Sequence, residues 1–201
     1  MKSIIIIIIA ALFCSYTGYC QASGPFIYGE MGAGYGTSFA FKLGVNTIFK
    51  TDNIISVDFY YTQRPAPDVP SDYHTGFLGG LPKQRLYTVG LMYGKVLFAK
   101  PQKIRYTLKG GLAMGSAMTP ANYTQASYTG IYNFDPNYEY TYHTVFNYGL
   151  VLNPTVEFPL GRGFGFSLGI YSIVDPISSS IGFEGSMLFG KLRNKRMKHA
   201  E

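Results

Sequence analysis

The chain has no tryptophan, and both of its cysteines, Cys14 and Cys20, sit within the first twenty residues. Beyond them neither disulfide nor thiolate chemistry is available. Charge is scarce as well: Asp, Glu, Lys and Arg make up 14% of 201 residues, against about a quarter in an ordinary soluble domain. Histidine occurs three times, at His74, His143 and His199, which leaves little material for a nucleophile with an adjacent base. After the N-terminal segment no apolar run approaches the roughly 20 residues of a spanning helix. What abounds is tyrosine (18), phenylalanine (15) and glycine (24), in a chain that is 47% hydrophobic. Aromatics and glycines without long apolar runs suit a membrane crossed by strands better than one crossed by helices.

The N-terminus has the anatomy of a secretory signal. Lys2 gives a positive start, Ile4 to Cys14 is an apolar run of eleven residues, and a polar stretch ends at the small residue Ala22. Residues 1–22 are therefore expected to be an export signal. The run is too short for a membrane anchor, and Tyr19 stands where a lipoprotein signal has a small residue. About 179 residues follow, the length of one domain. The net charge of +6 is concentrated at the end: residues 191–201 hold five basic residues and one acid. Such a tail is expected to be solvated, and export argues against nucleic acid as a partner.

Between these ends, eight stretches alternate with period two. The first runs from about Phe26 to Tyr35 and the second from Ser38 to Phe49. The second sets Phe39, Phe41, Leu43 and Val45 against Ala40, Lys42, Gly44 and Asn46. The pattern recurs around Ile55–Tyr61, Tyr87–Gly94, Ile104–Met114, Phe146–Glu157, Phe164–Tyr171 and Ile181–Phe189. Each has one apolar wall and one polar or small-residue wall, because successive strand side chains point to opposite faces. Pro154 interrupts the sixth, where a bulge or a nearby strand end is expected.

The even-numbered connections are short: Lys50–Asp52, Ala99–Gln102 and Gly161–Gly163. The longest are odd: Gln63–Gln84, rich in proline and glycine, and Thr119–Tyr142, rich in tyrosine. Asp175–Ser180 is moderate, and Gly36-Thr37 is a short exception. Short turns at one end and longer loops at the other are the habit of outer-membrane barrels. The charges Glu30, Lys42, Asp58, Arg105, Lys109, Glu157 and Glu184 all share the parity of the polar wall. Eight strands leave an interior just wide enough for side chains, so these seven are expected to form a charge network inside the barrel. On the lipid face a midplane Arg or Lys would cost about 2 to 4 kcal/mol. A soluble eight-stranded barrel is the alternative, with its apolar wall turned inward around a ligand. The expected fold is an all-β, eight-stranded, antiparallel up-and-down transmembrane barrel over residues 23–190, with a basic periplasmic tail over 191–201.

From Phe26 to Phe189 the chain resembles the small outer-membrane barrels, the class of the transmembrane domain of outer membrane protein A and of outer membrane protein X. Ile181, Phe183, Met187 and Phe189 look like the closing aromatic strand of that class, which the insertion machinery reads. The basic tail beyond Phe189 departs from the pattern. The resemblance implies a bacterial outer-membrane location and a monomer. It also implies outer-membrane lipid, lipopolysaccharide and the insertion machinery as partners.

Chemistry is harder to find. Lipid A deacylases and palmitoyltransferases are built on similar barrels, but His143-Thr-Val-Phe does not match the His-x-Ser-Asn pattern of the deacylases. Ser71, Asp72 and His74 are the right residue types for a loop triad. Asp135, Asn137 and Glu139 offer oxygens at alternate positions, without the glycine and distal glutamate of a calcium loop. No catalytic residue, metal site or cofactor is expected. The third outer connection holds Tyr123, Tyr128, Tyr132, Tyr138, Tyr140 and Tyr142. Tyrosine supplies large amphipathic contact area at low entropic cost, so Tyr123, Tyr128, Tyr132 and Tyr138 are expected to bind an extracellular ligand. An aromatic belt at the headgroups could claim Tyr140 and Tyr142. The expected role is structural or adhesive, with a lipid A-modifying enzyme or a narrow channel as alternatives.

Overall fold

The computed structural model describes residues 25–49, 52–75, 80–99, 104–126 and 136–192. The expected signal, and the tail beyond Leu192, lie outside them. Eight strands follow in order: β1 (Phe26–Gly36), β2 (Phe39–Ile48), β3 (Asn53–Pro65), β4 (Lys83–Phe98), β5 (Arg105–Gln125), β6 (Tyr138–Pro159), β7 (Phe164–Val174) and β8 (Ser180–Gly190). Each pairs antiparallel with its neighbours in sequence, and β1 pairs with β8 to close the barrel.

The register fixes the stagger. From Lys95 a row of opposed residues passes through Leu108, Pro154, Ile170, Phe183, Tyr35, Phe39 and Gln63. It returns to β4 at Arg85, ten residues from where it began. Eight strands with that stagger tilt by about 40° from the barrel axis.

The two walls separate cleanly. Leu112, Tyr148 and Phe183 on the outer wall each expose 70% or more of their surface, whereas Tyr60, Asp58 and Lys109 inside expose none. An apolar wall facing outward excludes the ligand-binding soluble barrel and suits a lipid surround. The interior is layered. An apolar plug of Tyr28, Ile48, Ile54, Val96, Leu188 and Leu192 fills the end that carries the short turns. A mixed cluster including Tyr60, Met92, Val151, Tyr171 and Ile173 lies toward the loop end. Lys42 and Lys109 with their carboxylates occupy the space between, whereas Arg105 and Glu157 sit beside the plug, against Tyr28. Beyond β8 the chain stays attached to this lower plug. The Lys191 amide donates to Ile27 O and the Leu192 amide to Arg162 O, which seats the Leu192 side chain inside. Gly190 makes this turn possible: its φ of 130° suits glycine, and a Cβ there would lie 2.7 Å from Ile27 O.

Two expectations are corrected. The tyrosine-rich connection Thr119–Tyr142 is strand at both of its ends, because β5 continues to Gln125 and β6 begins at Tyr138. β5 extends seven residues past Met118, its last residue paired with β4, and β6 starts twelve residues before Leu150, its first residue paired with β7. The two continue as a two-stranded hairpin because each satisfies the other's backbone, with a register shift between Ala121 and Thr124. Asn122 sits in that bulge with φ 55°, a conformation asparagine tolerates.

Pro154 causes no change of register and no strand end. The β6–β7 ladder skips Asn153 and Pro154, then resumes unchanged at Thr155↔Gly169. Proline has no amide to give Ile170 O, and the Asn153 Nδ2 donates there instead, at 2.9 Å.

A closed barrel of this kind keeps its shape in cold detergent, so the unheated chain is expected to run ahead of boiled chain on a denaturing gel. Gly44 faces the Asp58 carboxylate so closely that a Cβ would collide with Oδ1. Gly44→Leu is expected to lower the temperature at which the fast-migrating form is lost, as overpacking costs about 1 to 3 kcal/mol.

Candidate functional site

Alternation within each strand turns seven charges to the interior, and the stagger decides which of them meet. Lys42 on β2 is the hub. Its Nζ lies 3.0 Å from Glu30, 2.9 Å from Glu184 and 3.5 Å from Asp58, carboxylates from β1, β8 and β3. It also donates to Asn153 Oδ1 at 2.9 Å. Lys109 on β5 approaches Glu30 at 3.4 Å and Asp58 at 3.5 Å, and donates to Asn46 Oδ1 at 2.9 Å. Ser167 on β7 donates to Glu30 Oε1 at 3.2 Å. One connected network thus holds seven of the eight strands.

A second group lies nearer the turn end. Arg105 Nη2 stands 2.6 Å from Glu157 Oε2, and the Tyr28 hydroxyl donates to Glu157 Oε1 at 2.8 Å. The Arg105 guanidinium lies over the Tyr28 ring, 5.0 Å from its centroid. All seven charges are buried. Three cations face four carboxylates, and every one of the seven has at least one opposite partner. Asn46 and Asn153 are essential to this arrangement, yet a search for charged residues overlooks them. Their signal was polar-wall parity beside Lys42 and Pro154.

The second assembly is outside, at the loop end. Tyr73, from the β3–β4 connection, stacks on Tyr138 at 6.2 Å and meets Tyr123 edge-on at 6.4 Å. Tyr140 packs against Tyr123 and Tyr142, each at 5.6 Å. The Arg85 guanidinium lies 5.3 Å from the centre of the Tyr142 ring. Polar bonds lock the connection to the hairpin. The Tyr138 hydroxyl donates to both Asp72 oxygens at 2.9 and 3.0 Å. Asn137 Nδ2 donates to Asp72 O, and Asn137 Oδ1 accepts from the His74 amide. The bond to Asp72 holds the Tyr138 hydroxyl above its ordinary pKa, and partial burial raises that of Tyr73.

Of the four tyrosines expected to bind, the structure brings Tyr123 and Tyr138 together; Tyr128 and Tyr132 lie outside the described residues. Tyr73 and Arg85, distant in sequence, complete the cluster. The polar loop residues have different tasks from those considered above. Asp72 receives the Tyr138 hydroxyl, and no hydrogen bond joins it to the His74 ring. The Asn137 side chain is engaged by the β3–β4 connection, and Asp135 lies outside the described residues. Among the described residues no group of three or more His, Cys, Asp or Glu is placed to hold a metal.

No protein-family model matches the chain, and no curated protein sequence does. Solved structures do match. Neisserial surface protein A is similar over 84% of this chain and 97% of its own, with 12% identity and a TM-score of 0.52. The N-terminal β-barrel domain of Pseudomonas aeruginosa OprF is similar over 83% and 97%, with 10% identity and a TM-score of 0.49. The Yersinia pestis outer membrane protein Ail, determined in phospholipid bilayer nanodiscs, is similar over 82% and 98%, with 14% identity and a TM-score of 0.47. The closed ring of eight strands, together with the likeness to Neisserial surface protein A, gives the chain the fold of a small outer-membrane barrel, at an identity that speaks to the fold alone.

Proposed function

We propose that the chain is an outer-membrane barrel with no enzymatic activity, which presents the β5–β6 hairpin to the exterior as a binding surface. The observation that carries this reading is the hairpin's construction. It rises past its neighbours on both sides, and the β3–β4 connection braces it through Tyr73, Asp72 and Asn137. A surface already ordered loses little conformational freedom on binding, and rigid tyrosines suit recognition. The interior then serves as a polar core that holds the hairpin's base. Replacing or removing one member of a buried pair leaves an uncompensated charge, which is the costly case.

Lys42→Met should therefore destabilise the barrel by about 3 to 5 kcal/mol, read from urea unfolding followed by the gel shift. An apolar plug at one end and a mixed cluster at the other leave the charges no open path, so a planar bilayer carrying the barrel should conduct negligibly. Glu157→Gln and Arg105→Gln should remain as silent; steady conductance steps in the parent that change with either variant would favour a channel. Excising residues 122–139 and closing the hairpin with Asn-Gly should leave the gel shift intact. It should also abolish the attachment that cells displaying the parent barrel show on an array of immobilised proteins and glycans. Retained attachment would remove the hairpin from the binding role. A one-acyl-chain change in lipid A mass on expressing the parent would favour an enzyme instead.

A further inference from the structure

A groove of about 760 Å³ crosses the outer wall where the β6–β7 ladder is interrupted. That is within the range of roughly 300 to 1,000 Å³ for small-molecule sites. Its axis is the row Lys95, Leu108, Pro154, Ile170 and Phe183, one residue from each of β4 to β8. Tyr106 and Leu168 form the wall on the turn side. The groove is almost wholly apolar apart from one end, where Lys95 stands exposed. Among the described residues, no carboxylate lies within ion-pair distance of its ammonium.

The stagger orients this row. Lys95 lies three residues before Phe98, where β4 meets a short turn, whereas Phe183 lies three residues after Ser180 at the loop end of β8. The row therefore climbs from the turn side toward the loop side. Four strand spacings of about 4.8 Å, on a lattice tilted by about 40°, give a rise of roughly 12 Å. Half the hydrocarbon thickness of a bilayer is about 15 Å. A long lysine stem lets the ammonium reach the headgroup level from such a position.

We propose that this groove holds one phospholipid of the periplasmic leaflet, its phosphate on Lys95 and one acyl chain lying along Leu108, Pro154 and Ile170 toward Phe183. The proposal rests on the membrane-barrel reading above. It differs from general lipid contact in requiring one retained molecule at a defined place. Pro154 marks the place: the β6–β7 ladder is interrupted there, and the Asn153 amide satisfies Ile170 O from within.

The test is native mass spectrometry of the full chain. It is released in mild detergent from bilayers of phosphatidylethanolamine alone or with phosphatidylglycerol, and its fold is checked each time by the gel shift. A single phospholipid adduct is expected. Lys95→Gln should reduce its occupancy about fivefold, the contribution of one lysine at a lipid surface. Ile170→Trp, which fills the groove without touching the charge, should remove it. Lys83→Gln, at the loop end of β4, should leave it unchanged. An adduct in both bilayers identifies the phosphate diester as the ligand; an adduct only with phosphatidylglycerol identifies an anionic headgroup. A correctly shifted barrel that carries no adduct, or an adduct indifferent to Lys95→Gln and Ile170→Trp, overturns the proposal. So does a two-chain mass that Ile170→Trp returns to one chain, since a second copy would then be the occupant. A chain that never shows the gel shift fails the membrane-barrel reading instead.

Discussion

Hydrocarbon offers a backbone no hydrogen bonds, and the rest of this structure follows from that constraint. Eight strands can satisfy one another only by closing, so β1 must find β8 across the whole length of the chain. Closure at a stagger of ten residues sets the tilt, and the tilt sets which side chains from distant strands share a level. The constraint also explains the use of Asn153. Where Pro154 takes away a donor, the preceding side chain returns one to Ile170 O.

Closing the sheet inverts the usual distribution of polarity. The outer wall carries the apolar residues because the surrounding lipid is apolar. The interior, just wide enough for side chains, is filled with whatever the opposite parity supplies. Burying charge costs several kcal/mol per ion unless each is paired. The three cations and four carboxylates meet this demand through shared partners, with Asn46, Asn153 and Ser167 completing the shells. Tyr28, Tyr60 and Tyr171 supply bulk and a hydroxyl at once.

Much of the fold was legible because period-two patterning is local. It assigns Lys42 and Glu184 to one wall with no knowledge of their neighbours, and loop lengths orient the chain. What local pattern cannot convey is register. That Lys42 meets Glu30, Asp58 and Glu184 together follows from a stagger accumulated around the whole ring. The reading of Thr119–Tyr142 as a loop failed at its two ends for a related reason. Threonine and tyrosine favour strands, but Pro120, Asn122 and Asn137 among them are turn residues, and it is the pairing between β5 and β6 that places these ends in the sheet. Tyr73 and Arg85 joined the outer cluster through tertiary packing that no spacing announces.

The hub position of Lys42 has a consequence for assembly. Its carboxylate partners come from the first strand, the third and the last, so before the ring is shut the lysine and Glu184 stand apart. A sheet of eight strands with an open seam would hold an unneutralised charge against lipid and an unsatisfied edge beside it. Lys42 has Glu30 and Asp58 on the strands beside it, and Arg105 has Glu157, so it is Glu184 that gains its cation only when β1 zips to β8. The strand that shuts the ring is thus also the one whose own charge waits longest for a partner.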